Sequence, residues 1–338
     1  MLYGCTTFTI KTDSKLIFGR NLDVETDIGN AFINPGGVNK TAYFRRGSNE
    51  IPAQWKSKFG SVTFNQISKE IPHGGMNEKG LVVEHLFLEE SVYEQSDERP
   101  ALISHQWIQY MLDTCKTVNE IIESCSKVRI SNTDYKFPIH FNTMDRNGDR
   151  AIFEFLNGKM LVYMNEACVD GVLSNSTLES SIRQNESYQE NGKNNRPTDL
   201  SNSLERFEKT TELVKKYTEQ NAINYSFSVL DAVRNNTQWQ IVYDVKNLKI
   251  YYRTKTKKKI RFINLTDSDF SRTKNKTICI HENPEIKKNW LTFSNLTNKE
   301  MIYSICDKSE FINSVLGKEK EEISNYGNST TRLRIRKN

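Results

Sequence analysis

Residues 1–23 read "MLYGCTTFTIKTDSKLIFGRNLD". Two short alternating runs, "CTTFTIK" (5–11) and "KLIFGRNLD" (15–23), flank "TDS", the pattern of a β-hairpin. A thiol, Cys5, stands at the mouth of the first run, and Arg20 and Asp23 lie on the second. Cys5 has two readings. It is a small apolar residue opening a buried strand, or it becomes the chain terminus once residues 1–4 are removed, so that a thiol and a free α-amine share one residue.

Working outward, the strand pattern continues through "GSVTFNQIS" (60–68) and "GLVVEHLFL" (80–88), punctuated by the glycines of "HGGMNEKG". In "ISHQWIQYMLDTCKTVNEIIESC" (103–125) apolar residues recur at three and four, a helical period, with a break between two helices at 113–117. "IHFNTMDRNGDRAIFEFLNGKMLVYM" (139–164) and "QWQIVYDVKNLKIYYRT" (238–254) are further hairpins. Between them, 184–200 is polar and turn-prone and reads as a surface loop. "SLERFEKTTELVKKY" (203–217) reads as an amphipathic helix entered through a serine cap, and "SVLDAVRN" (228–235) as a shorter helix. Residues 297–316 predict a terminal helix and 317–338 a frayed charged tail. Locally paired strands and paired helices predict an α+β fold, antiparallel sheets covered by helix pairs, with one domain over 5–316.

The totals narrow the function classes. With 338 residues, 36% hydrophobic, 10% aromatic and a mean hydropathy of −0.65, the chain falls with folded globular proteins. No run of 18 apolar residues occurs, so no membrane span is expected. Four residues ahead of Cys5 cannot hold a signal peptide. The expected location is the cytoplasm, or the periplasm or exterior if an export signal has been removed. The six cysteines show no CxxC pair and no tight Cys/His cluster, which argues against a disulfide scaffold and a structural zinc site. No metal and no cofactor are expected. The net charge of +5 gathers in "RTKTKKKIR" (253–261) and "RLRIRKN" (332–338) without a recognition motif, so nucleic acid is not an expected partner.

Amide hydrolysis by a thiol needs a nucleophile, a base, oxyanion donors and something that holds the base. A terminal cysteine supplies the first two, because its α-amine titrates near pH ~8. An arginine beside the thiol favours the thiolate, and an aspartate accepting from the amine orients it. On a straight strand Arg20 and Asp23 point to opposite faces. Bringing both to one thiol therefore requires a bend or bulge after Gly19.

"CTTFTIK…LIFGRNLD", "GGMNEKGLVVEHLFLEESVY", "IHFNTMDRNGDRAIFEFLNGKM", "VLSNS" and "SLERF" resemble, in order and spacing over about residues 5–265, the choloylglycine hydrolase family. These are the bile-salt hydrolases and penicillin V acylases, N-terminal-nucleophile enzymes that cut linear amides. The resemblance implies a four-layer αββα sandwich of two antiparallel sheets between helix layers. It implies Cys5 as nucleophile after loss of a 1–4 leader, Arg20 beside its thiol and Asp23 on its α-amine. Asn175 would donate to the oxyanion, and Arg206 would complete the polar network. Where many bile-salt hydrolases carry an asparagine near the oxyanion, this chain has Phe87, which offers only its backbone there. Gly4, lacking a Cβ, suits self-cleavage.

Substrate specificity rests on loops. The candidate pocket loops 24–36, 64–74 and 134–141 carry Phe32, Phe64, Tyr135, Phe137 and Phe141, which with Phe87 would suit an apolar acyl group. Glu84 and His85 read as residues of a half-exposed strand face, with a role in reading a polar substrate head as the alternative, and His140 as a satisfied sheet histidine. The expected partner is a small N-acyl amide: a bile acid, phenoxyacetyl or fatty-acyl compound. A homo-oligomer stays open, since the segment between Asn175 and Arg206 is short. Acyl transfer on the same fold, and an inactive acyl-amide-binding relative, are the alternatives.

Overall fold

A computed structural model of the chain describes residues 4–133, 137–190, 199–219, 221–271, 274–326 and 331–332. Nine strands come first: β1 (Thr6–Lys11), β2 (Leu16–Asp23), β3 (Asn30–Asn34), β4 (Val38–Thr41), β5 (Gln54–Lys56), β6 (Ser61–Asn65), β7 (Gly74–Asn77), β8 (Val82–Phe87) and β9 (Ala101–Leu102). Helices α1 (Ser104–Thr114) and α2 (Val118–Cys125) precede β10 (Arg129–Ile130), β11 (Ile139–Met144), β12 (Arg150–Leu156) and β13 (Lys159–Met164). Helices α3 (Leu178–Glu190), α4 (Ser203–Lys215) and α5 (Ala222–Ala232) lead into β14 (Thr237–Asp244), β15 (Lys249–Thr254), β16 (Arg261–Asn264), β17 (Lys276–Cys279) and β18 (Leu291–Thr292). The chain closes with α6 (Asn295–Lys308), α7 (Glu310–Leu316), α8 (Lys320–Tyr326) and β19 (Thr331–Arg332).

The strands form two main antiparallel sheets. One runs β1-β2-β14-β15-β16, the other β13-β12-β11-β8-β7-β6-β3-β17-β18. Helices α4 and α5 pack on the first sheet, and α1 packs on β7 and β8 of the second. Between the sheets lies one core that takes Phe8, Phe18, Ile241 and Tyr243 from the first and Phe64, Met76, Val82 and Leu86 from the second. This is the αββα arrangement expected. Strand β2 is buried along its whole length because it has a sheet on one side and α5 on the other. Thr12 closes the opening hairpin, its hydroxyl accepting from the Lys15 N–H at 3.1 Å.

Several local expectations need correction. Helix α3 runs on to Glu190, taking in the first seven residues of the stretch read as loop, because local polarity does not forbid a solvated helix. Residues 191–198 of that stretch lie outside the described residues. Asn202, not a serine, caps α4, its side chain accepting from the Leu204 N–H at 2.9 Å. Helix α5 starts at Ala222, well before the "SVLDAVRN" window. Residues 320–326, read as charged tail, form α8 against α6, with Ile323 fully buried.

Candidate active site

Cys5 stands just before β1 and is 2% exposed. Three structural elements converge on it. The β1–β2 register places Arg20 across from Thr7, and the guanidinium reaches the thiol as a hydrogen-bond partner. The bend or bulge expected in β2 after Gly19 does not show in its pairing with β1, which runs unbroken from Leu16 to Asn21; an irregularity lies on the neighbouring strand instead. Pairing between β2 and β14 slips at Gln238, so that Leu22 faces Trp239 while Asp23 faces Thr237. The backbone of Asp23 hydrogen-bonds the Cys5 thiol. The third element enters through a bridge between Thr7 and Leu173, hydrogen-bonded both ways at 2.9 and 3.1 Å, which lays "VLSNS" along the start of β1. Asn175 thereby comes level with Cys5.

Asn175 is held by both ends of its amide. Arg206 donates from Nη2 to Oδ1 at 2.9 Å, and Nδ2 donates to the Phe87 carbonyl at 2.7 Å. That leaves one N–H of the amide for another acceptor. Arg206, 1% exposed, also donates to the carbonyls of Leu200 and Ser201 and to the Thr6 hydroxyl, tying α4 to β1. His140 is satisfied as expected, Nε2 meeting the Ser174 carbonyl at 2.8 Å and Nδ1 meeting Glu154 at 3.2 Å. Glu154 in turn accepts from the Leu178 N–H, so this buried pair fixes the turn that carries Asn175.

Electrostatics oppose one another at the thiol. Burial pushes Cys5 above its ordinary value, Arg20 and Arg206 pull it down, and Asp23 pushes it up. Burial also raises Asp23 to about 6, against the pull of Thr237, Arg206 and the backbone of Asn235 and Asn236. Neither oxygen of that carboxylate has a well-formed hydrogen bond among the described residues. Gly4 lies directly against it: a Cβ there would stand 2.8 Å from Asp23 Oδ2 and 2.5 Å from Asn235 Nδ2.

The raised Asp23 has a measurable consequence. Its folded pKa of about 6 exceeds the unfolded value of ~3.9, so the folded state keeps its proton longer. The associated stability is fully present below the unfolded value and is lost as pH rises through 6. In a Cys5→Ala background, Asp23→Asn should remove about 2 kcal/mol of the fall in denaturant stability between roughly pH 4.5 and 7.5. An unchanged pH slope would mean that Asp23 is not held protonated by burial.

Glu84 is the main residue that reading the sequence missed. It is fully buried, not half-exposed, and pairs with Arg20 and with the Tyr243 hydroxyl. Burial raises its carboxyl to about 7 while Arg20 and Tyr243 pull it down. Arg20 also donates to the carbonyls of His73 and His85, at 3.3 and 3.0 Å, so both terminal nitrogens of its guanidinium are held, while its buried Nε has no hydrogen-bond partner among the described residues. The clue lay in strand periodicity: Val82, Glu84 and Leu86 share a face, and two apolar neighbours at i ± 2 mark that face as core. Glycine makes room, since a Cβ on Gly74, the cross-strand partner, would sit 2.0 Å from the Glu84 carboxylate.

Cys5 opens onto a cavity lined by Leu22, Val24, Glu25, Thr26, Gln66, His73, His85, Phe87, Phe137 and Ile139, closed by Ile305, Ser309 and Ile312. All three expected loops contribute, but of the aromatic residues only Phe87 and Phe137 line it. Phe64 faces the core between the sheets against Tyr252, at 5.4 Å between centroids. Phe141 stacks on Trp107 under α1 at 4.2 Å, and Phe32 packs on Phe293 at 6.0 Å. Tertiary packing, not alternation alone, keeps these three from the cavity, since Phe141 shares the face of β11 with Ile139, which lines it. Tyr135 lies outside the described residues. The wall from α6–α7 had no sequence signal, since nothing local ties residues 305–312 to residue 5. The expectation of no histidine cluster also fails: one ring nitrogen each of His73, His85 and His105 lies within 4.8 Å of the others, all buried. Their sequence spacing hides this, because β-pairing and α1 bring them together.

A buried, charge-flanked thiol on a sandwich of two antiparallel sheets belongs with amide-cleaving hydrolases. Residues 5–211, more than half of the chain, match the family model of the linear amide C–N hydrolases, choloylglycine hydrolase family, and the protein is a member of that family. A penicillin V acylase of Pectobacterium atrosepticum is 23% identical over 269 residues, 67% of this chain and 71% of the relative. Among solved structures, penicillin V acylase from Agrobacterium tumefaciens superposes with a TM-score of 0.72 at 24% identity, covering 86% of this chain and 98% of that one. A conjugated bile acid hydrolase from Clostridium perfringens gives 0.66 at 19% identity, covering 81% and 96%. No helix among the described residues is long and apolar enough to cross a membrane.

Proposed function

We propose that this protein hydrolyses the linear amide bond of a small N-acyl compound through a thioester on Cys5, after residues 1–4 have been removed. The observation that carries the reading is the Asp23 carboxylate: it is buried against the Gly4–Cys5 peptide, and its contacts from Thr237, Asn235 and Asn236 fall short of well-formed hydrogen bonds. A Cys5 α-amine released at that peptide would give it a donor.

The α-amine takes the thiol proton, and the thiolate, favoured by Arg20, attacks the substrate carbonyl. Negative charge moves to the carbonyl oxygen, where the free N–H of Asn175 stands ready as donor. Collapse of the tetrahedral intermediate breaks the C–N bond, and the α-ammonium returns its proton to the departing amine. Water, deprotonated by the same α-amine, then opens the thioester and frees the acid. Apolar Leu22, Val24, Phe137, Ile139, Ile305 and Ile312 suit an apolar acyl group, and the chemistry uses no metal or cofactor.

Acid-quenched reactions with penicillin V and with a conjugated bile salt test this. Release of the free amine, with an acyl-sized mass gain on the Cys5 peptide, is the expected result. Acyl products formed on an added amine would instead favour transfer. No amine release from either probe, and no adduct on a chain that begins at Cys5, would defeat the reading for these acyl classes.

A further inference from the structure

We propose that His73, His85 and His105 form a zinc-class metal site in the wall of the Cys5 cavity, and that an ion bound there inhibits the enzyme. The three rings come from separate elements: His73 just before β7, His85 on β8 and His105 in the first turn of α1. They pack mutually, with centroids 5.1 Å apart for His73–His85, 5.7 Å for His73–His105 and 4.7 Å for His85–His105. Their exposures are 5%, 6% and 3%.

Two observations favour a ligand over simple packing. His73 Nε2, His85 Nδ1 and His105 Nε2 are all buried without a hydrogen-bond partner, an unusual concentration of unmet polar atoms. The three side chains also bring one ring nitrogen each to within 4.8 Å of one another. His73 Nδ1 and His85 Nε2, the nitrogens of those two rings other than the unpartnered ones, are hydrogen-bonded to each other at 2.8 Å, a bond that a shared ion would replace. Zinc–imidazole bonds of ~2.0–2.1 Å in tetrahedral geometry need nitrogens about 3.3 Å apart. Small rotations of the rings reach that spacing. Arg20 fixes the backbone of His73 and His85 through their carbonyls, so the two ligands are preorganised by the group that flanks the thiol.

Three imidazoles leave a fourth position, and His73 and His85 face the cavity that Cys5 shares. An ion there would compete for the thiolate and occupy space needed by the acyl group. The site itself does not depend on the proposed hydrolysis; only its inhibitory effect does. Binding is therefore read on the Cys5→Ala protein, which has neither thiolate nor turnover. Metal-stripped Cys5→Ala should take up one Co(II) per chain, displaced by Zn(II), with visible d–d bands of tetrahedral nitrogen ligation. His105→Phe should weaken uptake by at least about tenfold. His85→Phe gives the same reading if His105→Phe does not fold, folding being checked by thermal melting. Cys279→Ser removes the exposed cysteine and should leave uptake unchanged. Lack of stoichiometric uptake by Cys5→Ala, or uptake unaltered in both folded histidine variants, overturns the site.

Discussion

Purified Cys5→Ala is expected to keep residues 1–4 and to hydrolyse no N-acyl amide, while wild-type protein begins at Cys5. Removing a nucleophile that acts as one unit with its base typically lowers turnover by roughly 10⁴–10⁶. The prediction follows from the double role proposed for one residue, whose thiol would both attack the substrate and open the Gly4–Cys5 peptide. A Cβ at Gly4 would crowd Asp23 Oδ2 and Asn235 Nδ2, so any other residue there must displace one of these side chains. Intact mass beside amine release checks both halves. Cys5→Ser keeps the shape but replaces the thiol by a far weaker acid, so it should resemble Cys5→Ala in turnover. If Cys5→Ala also loses residues 1–4, another agent exposes the terminus, though Cys5 could still be the nucleophile. If Cys5→Ala turns over amides, the thiol is not the nucleophile.

Asn175→Ala should lower kcat by about 10²–10³, with a smaller change in KM. That is the usual effect of losing one oxyanion donor, equivalent to about 2.7–4 kcal/mol of transition-state stabilisation. The variant also strips Arg206 of an acceptor inside the protein, which costs about 1–3 kcal/mol of stability. The two effects separate experimentally. A merely structural asparagine predicts a lower melting temperature with kcat near wild type once the protein is folded. An oxyanion donor predicts a kcat loss that persists well below the melting temperature. Asn175→Asp sharpens the test, since it keeps the size but places negative charge where the oxyanion forms, and its loss should exceed that of Asn175→Ala.

Much of this site was legible before any fold was known. Alternation in 5–23 fixes a hairpin with Cys5 at its mouth, and ordered motifs point to Asn175 and Arg206. Local pattern failed where burial depends on distant partners. Glu84 looked like a surface charge because its counter-ion, Arg20, is 64 residues away. Phe32, Phe64 and Phe141 looked like pocket residues because aromatic character says nothing about which face of a strand is presented. The cavity wall from α6 and α7 lies three hundred or more residues from Cys5, beyond the reach of any periodicity.

Sequence by itself therefore determined the α+β class, the opening hairpin and the residue types needed for thiol chemistry, since these follow from spacings of two to four residues and the chemistry of single side chains. Tertiary structure alone decided the rest. The pairing of β2 with β14 buries Asp23 beside the thiol, the Thr7–Leu173 bridge sets Asn175 level with it, and the packing of α1 on β7 and β8 gathers three histidines. Each depends on register and layer packing between segments far apart in the chain. A shift of one residue in either would send the same side chains to the opposite face.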